Sequence, residues 1–328
     1  EGRHPTVRIN GNLFPLIKKN VLTHEDIAGL LTVMLGSERE NIFVEKREFD
    51  FSYKFEDKAR FRGNAFVQQG MFGIALRLIP RDIKSLDELA LPTILETFAR
   101  KKQGFFLVVG PVGQGKSTTL AALIEMINRE RAEHIITIED PIEYVYEQKK
   151  SIIDQREVGV DTSSFENALI SVLRQDVNVI LLGEMRGHET MAAAVTAAET
   201  GHMVFSTLHT NNAAQTIDRI IDTFPPEQQD QIRIQLAASL TGIFSQRLIP
   251  RISGGMVPAY ELLIANSAVA NLIREKRTHE INTVIETGAA EGMIDMNRCL
   301  AELVRRGEIS IESAYQHSLN PKVLEKLI

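Results

Sequence analysis

The sequence predicts an α/β protein in two parts: a small N-terminal α+β domain, then a larger domain with a parallel-core sheet and C-terminal helices. Three observations carry that expectation. Residues 1–79 alternate apolar and polar positions around turn signals, as antiparallel strands with one buried face do. From residue 93, short apolar runs alternate with helical periods, the pattern of strands and crossover helices in a parallel sheet. A glycine-rich turn joins the first of those strands to its helix.

In chain order, TVRINGNLFPLI over residues 6–17 alternates around Asn10-Gly11, a strong hairpin signal. Thr23 is placed to N-cap a helix through about Leu35, with Glu25 and Asp26 in its first turn and Gly36 after it. Phe49, Phe51, Tyr53 and Phe55 then alternate with polar residues. RFRGNAFVQ and MFGIALRLIP follow as strands paired across Gln69-Gly70. Arg60 and Arg62 share a face by period two, and Arg77 lies on the next strand; they form either a solvated face or an anion site. Residues 80–92, bracketed by prolines, read as a linker with a short helical turn.

The 93–328 domain follows, with strands expected at 105–109, 135–138, 179–182 and 203–208 and helices at 117–130, 165–174, 188–200 and 212–222. Past Pro226 the reading is helical over 227–248, 267–276, 278–286, 295–306 and 310–318, with one strand near 257–263. The mainly helical C-terminal region starts at about 264.

Composition narrows the function classes. Hydrophobic content of 44% and charged content of 24% are those of a globular protein. A net charge of −6 gives no bulk positive field for nucleic acid. No apolar run approaches the ~20 residues of a membrane span, so direct membrane insertion is not expected. The single cysteine, Cys299, excludes an intrachain disulfide framework and a Cys-x-x-Cys zinc site, and cytoplasmic surroundings are expected. The chain starts at Glu1 rather than methionine, which reads as a trimmed N-terminus.

The chemistry concentrates at the ends of the predicted strands. Gly110-Pro111-Val112-Gly113-Gln114-Gly115-Lys116-Ser117, followed by Thr118, fits G-x-x-x-x-G-K-[ST]. Its glycines let backbone N–H groups wrap a phosphate, and the helix N-terminus adds its dipole. Lys116 is placed for the outer phosphates of a nucleoside triphosphate, and the Ser117 hydroxyl for Mg²⁺. Strand 135–138 ends in Glu139-Asp140-Pro141-Ile142-Glu143, and one of these acids is expected to orient and deprotonate water. Spacing alone does not choose among them. Strand 179–182 ends in Gly183-Glu184-Met185-Arg186, an apolar strand followed by a metal-side acid. His202 precedes strand 203–208 and His209 ends it; their spacing is not that of a zinc pair, and no metal is assigned to them.

Together these motifs resemble the secretion-superfamily ATPases, and within them the PilT-type retraction ATPases of type IV pili. GPVGQGKSTTLAALI is like that family's Walker A, ITIEDPIE its Asp box, and VILLGEMRGHET its Walker B. TAAETGHMVFSTLHTNNAAQTIDRIIDTFP is like its His box. The resemblance implies a PAS-like N-terminal domain and a RecA-like ATPase domain joined by a flexible linker, with ATP and Mg²⁺ bound and a homohexameric ring formed. It assigns Glu143 as the catalytic glutamate, Glu184 as the Walker B acid, His202 and His209 as the His-box pair, and Arg60, Arg62 and Arg77 as phosphate contacts. It also implies force on an inner-membrane pilus platform protein from the cytoplasmic face, pilin depolymerisation, and a paralogous pilus ATPase as a possible partner.

Absence of a zinc insert sets the chain apart from pilus-assembly and type II secretion ATPases, and VANLIRE at 269–275 is like the retraction class's AIRNLIRE. Three positions depart from the pattern. Ala270 replaces that motif's first arginine, Asp176-Val177-Asn178 stands for Asp-Pro-Asp, and Gly187 stands where aspartate is common. Asn178 and Ala270 are the features that favour the alternative, a PilU-like accessory ATPase dependent on a partner motor.

Overall fold

A computed structural model of the chain describes residues 1–9, 12–56, 58–80 and 82–328. Two compact units divide it, Glu1–Arg81 and Asp82–Ile328.

In the first unit, β1 (Thr6–Ile9) pairs antiparallel with β2 (Asn12–Pro15); the Asn10-Gly11 turn expected between them lies outside the described residues. Helix α1 (His24–Lys46) starts on a capping box in which Thr23 Oγ1 accepts from Asp26 N and the Asp26 carboxylate accepts from Thr23 N. The expected end at Gly36 is a break rather than a terminus. Gly36 adopts φ 73°, and the helix resumes to Lys46. Strands β3 (Glu48–Phe55), β4 (Ala59–Gln68) and β5 (Met71–Ile79) form an antiparallel sheet in that order. Gln69 and Gly70, both at positive φ, make the two-residue turn between β4 and β5. Ile27, Leu31, Leu35 and Phe43 of α1 pack on the sheet face that carries Phe51 and Ala65.

The second unit begins with the stretch read as a linker. Residues 82–92 cluster with it, and Leu86 and Leu91 are buried in its core with Leu95 and Phe98 of α2 (Leu95–Ala99). Strand β6 (Gly104–Val109) leads to α3 (Lys116–Glu130), β7 (His134–Glu139) and β8 (Ile152–Glu157). Next come α4 (Phe165–Val172), β9 (Val179–Leu182), α5 (His188–Glu199), β10 (Met203–Leu208) and α6 (Ala213–Asp222). Then follow α7 (Pro226–Ser239), β11 (Leu240–Pro250) and β12 (Met256–Ile264). The chain closes with α8 (Ser267–Arg274), α9 (Ile281–Thr287), α10 (Met296–Arg305), α11 (Ile311–His317) and α12 (Pro321–Leu327).

The sheet order is β12-β11-β6-β10-β9-β7-β8, with every pairing parallel except β11–β12. Fully buried strands β6, β9 and β10 account for the unbroken apolar runs in the sequence. Helices α2 and α3 contribute to the core on one face of the sheet, and α4 to α8 to the core on the other.

Two departures from the expectation matter for the site. The helix expected over 227–248 stops at Ser239, and Leu240–Pro250 is a strand between β6 and β12. Only Gly242, two residues into the strand, stands near the change, and a strand buried on both faces shows no alternation. Burial inside the sheet overrides the helical period. The edge strand β8 carries the polar sequence IIDQRE, so no apolar run announces it.

Candidate functional site: the phosphate loop and its strand-end acids

The loop after β6 has the conformation its glycines permit. Gly110, Gly113 and Gly115 sit at φ 144°, 77° and 79°. A Cβ on Gly110 would stand 2.4 Å from the Gln246 carbonyl oxygen, so the loop can lie against β11 only without a side chain there. Gly115 occupies the N-cap of α3, which has no side-chain cap and no acid in its first turn. Its leading N–H groups and positive dipole end are therefore left for an anion, and the loop fits a polyphosphate. Val112, at the tip, is 80% exposed.

Strand β11 braces this loop from below. Gln246 Oε1 accepts from Thr119 Oγ1 at 2.6 Å, and Gln246 Nε2 donates to Gln114 O at 2.9 Å. Leu248 N donates to Gln114 Oε1 at 2.7 Å. Sequence reasoning missed Gln246 because it sits in the stretch read as helix.

Lys116 is buried and turned back on its own loop. Its Nζ donates to Gly110 O at 2.8 Å and Pro111 O at 2.9 Å, and lies 3.2 Å from His209 Nδ1. An ammonium only donates, so Nδ1 accepts and the neutral imidazole carries its proton on Nε2. Burial lowers the Lys116 pKa, against the opposing charges of Glu143 and Glu184. His209 is held below its ordinary value, first by burial and then by the Lys116 charge. Its Nε2 stands 3.8 Å from Glu184 Oε2, and Glu184 also pairs with Arg186. A cavity of about 410 Å³ opens beside this group, lined in part by Glu184, Arg186, His209 and Asn211.

The acids after β7 are separated by environment. Glu139 is buried; its Oε1 accepts from Thr137 Oγ1 at 2.7 Å and its Oε2 from Glu143 N at 3.2 Å, and burial pushes its carboxyl up to about 7. Asp140 and Glu143 are exposed, and the Glu143 charge acts on Lys116. Glu139 is thus taken up at its own strand end, while Asp140 and Glu143 stay exposed. Thr118 Oγ1 lies 2.8 Å from the Tyr144 hydroxyl, tying that segment to the first turn of α3.

Other expected residues fall elsewhere. His202 sits at the opposite end of β10 from His209, with Nδ1 2.9 Å from Ala197 O. About 20 Å of strand separates the pair, so this chain does not bring His202 to Lys116. Arg60, Arg62 and Arg77 lie on the first unit's sheet, on the face away from α1. Arg62 stands directly opposite Arg77, and Arg60 donates to Ser52 Oγ at 3.1 Å. Among the described residues no cluster of three or more His, Cys, Asp or Glu is placed to hold a metal, and no helix is long and apolar enough to cross a membrane.

A glycine-cradled loop between a buried parallel strand and a helix, with acids beyond two other parallel strands of the same sheet, defines a P-loop nucleotide-binding protein of the ATPase class. The family model described as "Type II/IV secretion system protein" matches residues 73–322, and the chain belongs to that family. A twitching motility protein of Neisseria gonorrhoeae is 46% identical over 317 residues, 96% of this chain and 84% of that protein. A type IV pilus retraction ATPase, PilT, of Pseudomonas aeruginosa is 43% identical over 321 residues, 98% of this chain and 93% of that protein. Among solved structures, one described as the pilus retraction motor PilT with bound ADP matches with a TM-score of 0.93 at 46% identity, over 99% of this chain and 93% of that one. The expected α/β class and the resemblance to PilT-type retraction ATPases are both borne out.

Proposed function

We propose that this chain hydrolyses ATP with Mg²⁺ in a homohexameric ring and that the work drives type IV pilus retraction. One observation carries the hydrolytic reading: Lys116, at the mouth of the phosphate loop, lies 3.2 Å from His209 Nδ1, and the other ring nitrogen of His209 stands 3.8 Å from Glu184 beyond β9.

The residues have separable tasks. Lys116 exchanges the carbonyls of Gly110 and Pro111 for the outer phosphates of the nucleotide, and the N–H groups of residues 113–118 hold the rest. The Ser117 hydroxyl and Glu184 would hold Mg²⁺, which would neutralise phosphate charge there. A site with few protein carboxylates suits that ion, which takes much of its shell from phosphate and water. Glu143 accepts a proton from the attacking water or fixes its line of attack. His209, neutral and accepting from Lys116 at Nδ1, stands between that lysine and Glu184, with Nε2 3.8 Å from Glu184 Oε2. Arg60, Arg62 and Arg77 are proposed as phosphate contacts, and such arginines contribute on the order of 10³–10⁵ in rate in related phosphoryl transfers.

Force passes to an inner-membrane platform protein at the cytoplasmic face, where a paralogous ATPase can share the work. The high identity to retraction ATPases over nearly the whole chain supports this reading. Complementation tests it in cells. The gene should restore twitching to a retraction-deficient host, and a Glu143→Gln variant should not. Restoration by that variant would contradict the reading.

A further inference from the structure

The segment that carries Glu143 has no secondary structure of its own, yet its backbone is pinned at successive residues. Residues 140–151 form neither strand nor helix. Ile142 N donates to Glu157 Oε2 at 3.2 Å, and Glu143 N to Glu139 Oε2 at 3.2 Å. Tyr146 N donates to Gln155 Oε1 at 3.0 Å, while Gln155 Nε2 donates to Tyr144 O at 2.7 Å. Glu139 and Glu157 are partners in the β7–β8 register, and Gln155 lies two residues before Glu157 on the same face. Gln155 Nε2 also reaches Glu139 Oε1 at 3.4 Å. Three side chains from two adjacent strands thus take the place of the ladder that this loop lacks.

Two buried carboxyls side by side are costly in an ordinary sheet. Glu139 and Glu157 are 7% and 3% exposed, whereas Glu143 is exposed. Each accepts from a main-chain N–H of the Glu143 segment, Glu157 from Ile142 and Glu139 from Glu143. The arrangement fixes where the Glu143 backbone stands, and with it the point from which its exposed carboxylate reaches.

From this geometry we infer that Glu139, Gln155 and Glu157 are positioning residues of the hydrolytic site, acting on the reaction only through the placement of Glu143. The inference rests on the assignment of Glu143 given above. It also gives the edge strand β8 a task that its polar sequence does not advertise.

The test uses the full chain, with kcat and KM from steady-state ATP hydrolysis and nucleotide affinity from titration with a fluorescent ADP. Four variants are compared: Gln155→Ala, Glu139→Ala, Glu139→Gln and Glu143→Gln. Gln155 is half-buried on an edge strand and leaves the β7–β8 ladder intact when truncated, so its variant decides the matter even if Glu139→Ala does not fold. The expected result is a fall in kcat of roughly ten- to a hundredfold in Gln155→Ala and Glu139→Ala, since misplacing a reacting group by about 1 Å costs on that order. ADP affinity and KM should stay within about twofold of the parent, and Glu139→Gln, which keeps an acceptor oxygen, should recover most of kcat. Full kcat in the alanine variants, or ADP affinity falling in step with kcat, would overturn the inference. Should Glu143→Gln hydrolyse ATP at the parental rate, the assignment of Glu143 fails and the inference with it. Should Glu143→Gln be inactive while the alanine variants keep full kcat, only the positioning inference fails.

Discussion

At the scale of single residues, the site is a short relay of charge. Lys116 donates to two loop carbonyls and to His209, whose far nitrogen faces Glu184. Charge-assisted hydrogen bonds are worth ~1.5–3 kcal/mol each, so Lys116→Ala should weaken ATP binding at least tenfold; unchanged affinity in an equilibrium titration would refute the phosphate contact. His209→Ala should release Lys116 and Glu184 together and lower kcat more than it raises KM, which a steady-state comparison reads directly. Lys116, Glu184 and His209 are legible in the sequence because each sits at a fixed distance from a buried strand's end, where a parallel sheet gathers its ligands, whereas spacing leaves three acids open after β7 and only the family resemblance singles out Glu143. Gln246, Gln155 and Glu157 are not legible. Their partners lie 132, 11 and 15 positions away along the chain, and no local spacing encodes such contacts. His202 shows the converse: the motif is present, but the strand between the two histidines holds them at opposite ends of the sheet.

At the scale of elements, β11 is the piece that the sequence hides and the phosphate loop depends on. It runs parallel to β6 and places the Gln246 carbonyl where a Gly110 side chain would stand. Gly110→Ala forces both a φ of 144° on an L-residue and a 2.4 Å contact with backbone. That variant should lose nucleotide binding while the rest of the sheet folds, as paired circular dichroism and ADP titration would reveal. Gln246→Ala strands the buried Thr119 hydroxyl and frees the Gln114 carbonyl. A loss of ~1–3 kcal/mol in stability is expected, seen as an earlier denaturation midpoint together with weaker ADP binding. The alternating strands and helices from β6 to α6 are readable because each buried strand is short and each helix is punctuated. The α7–β11 junction lacks such a signal, with only Ser239 and Leu240 at the change of conformation.

At the scale of the whole molecule, buried carboxyls make stability depend on pH. Burial pushes Glu139 and Glu261 up to about 7 from the ordinary 4.5; Glu261 accepts from Ala213 N at the start of α6. Between about pH 4.5 and 7 the native state binds protons that the unfolded chain has released, so stability falls as pH rises through that window and levels off above it. His209, held below 6.5, opposes this below its ordinary value. The denaturation midpoint should therefore be higher near pH 5.5 than at pH 8, and Glu261→Gln should flatten the difference. A midpoint that climbs steadily from pH 5.5 to 8 would count against the two raised carboxyls. The same scale holds the central claim, that the assembled chain is a self-sufficient ATPase with Glu143 at its hydrolytic step. Its most direct test is the steady-state ATPase rate of the purified chain and of Glu143→Gln, with mass read on the same samples by light scattering. The account predicts a hexamer that turns over ATP, and a variant of equal mass that retains nucleotide but does not hydrolyse it. Hydrolysis persisting in the variant, or nucleotide bound by the parent hexamer without turnover, would contradict it.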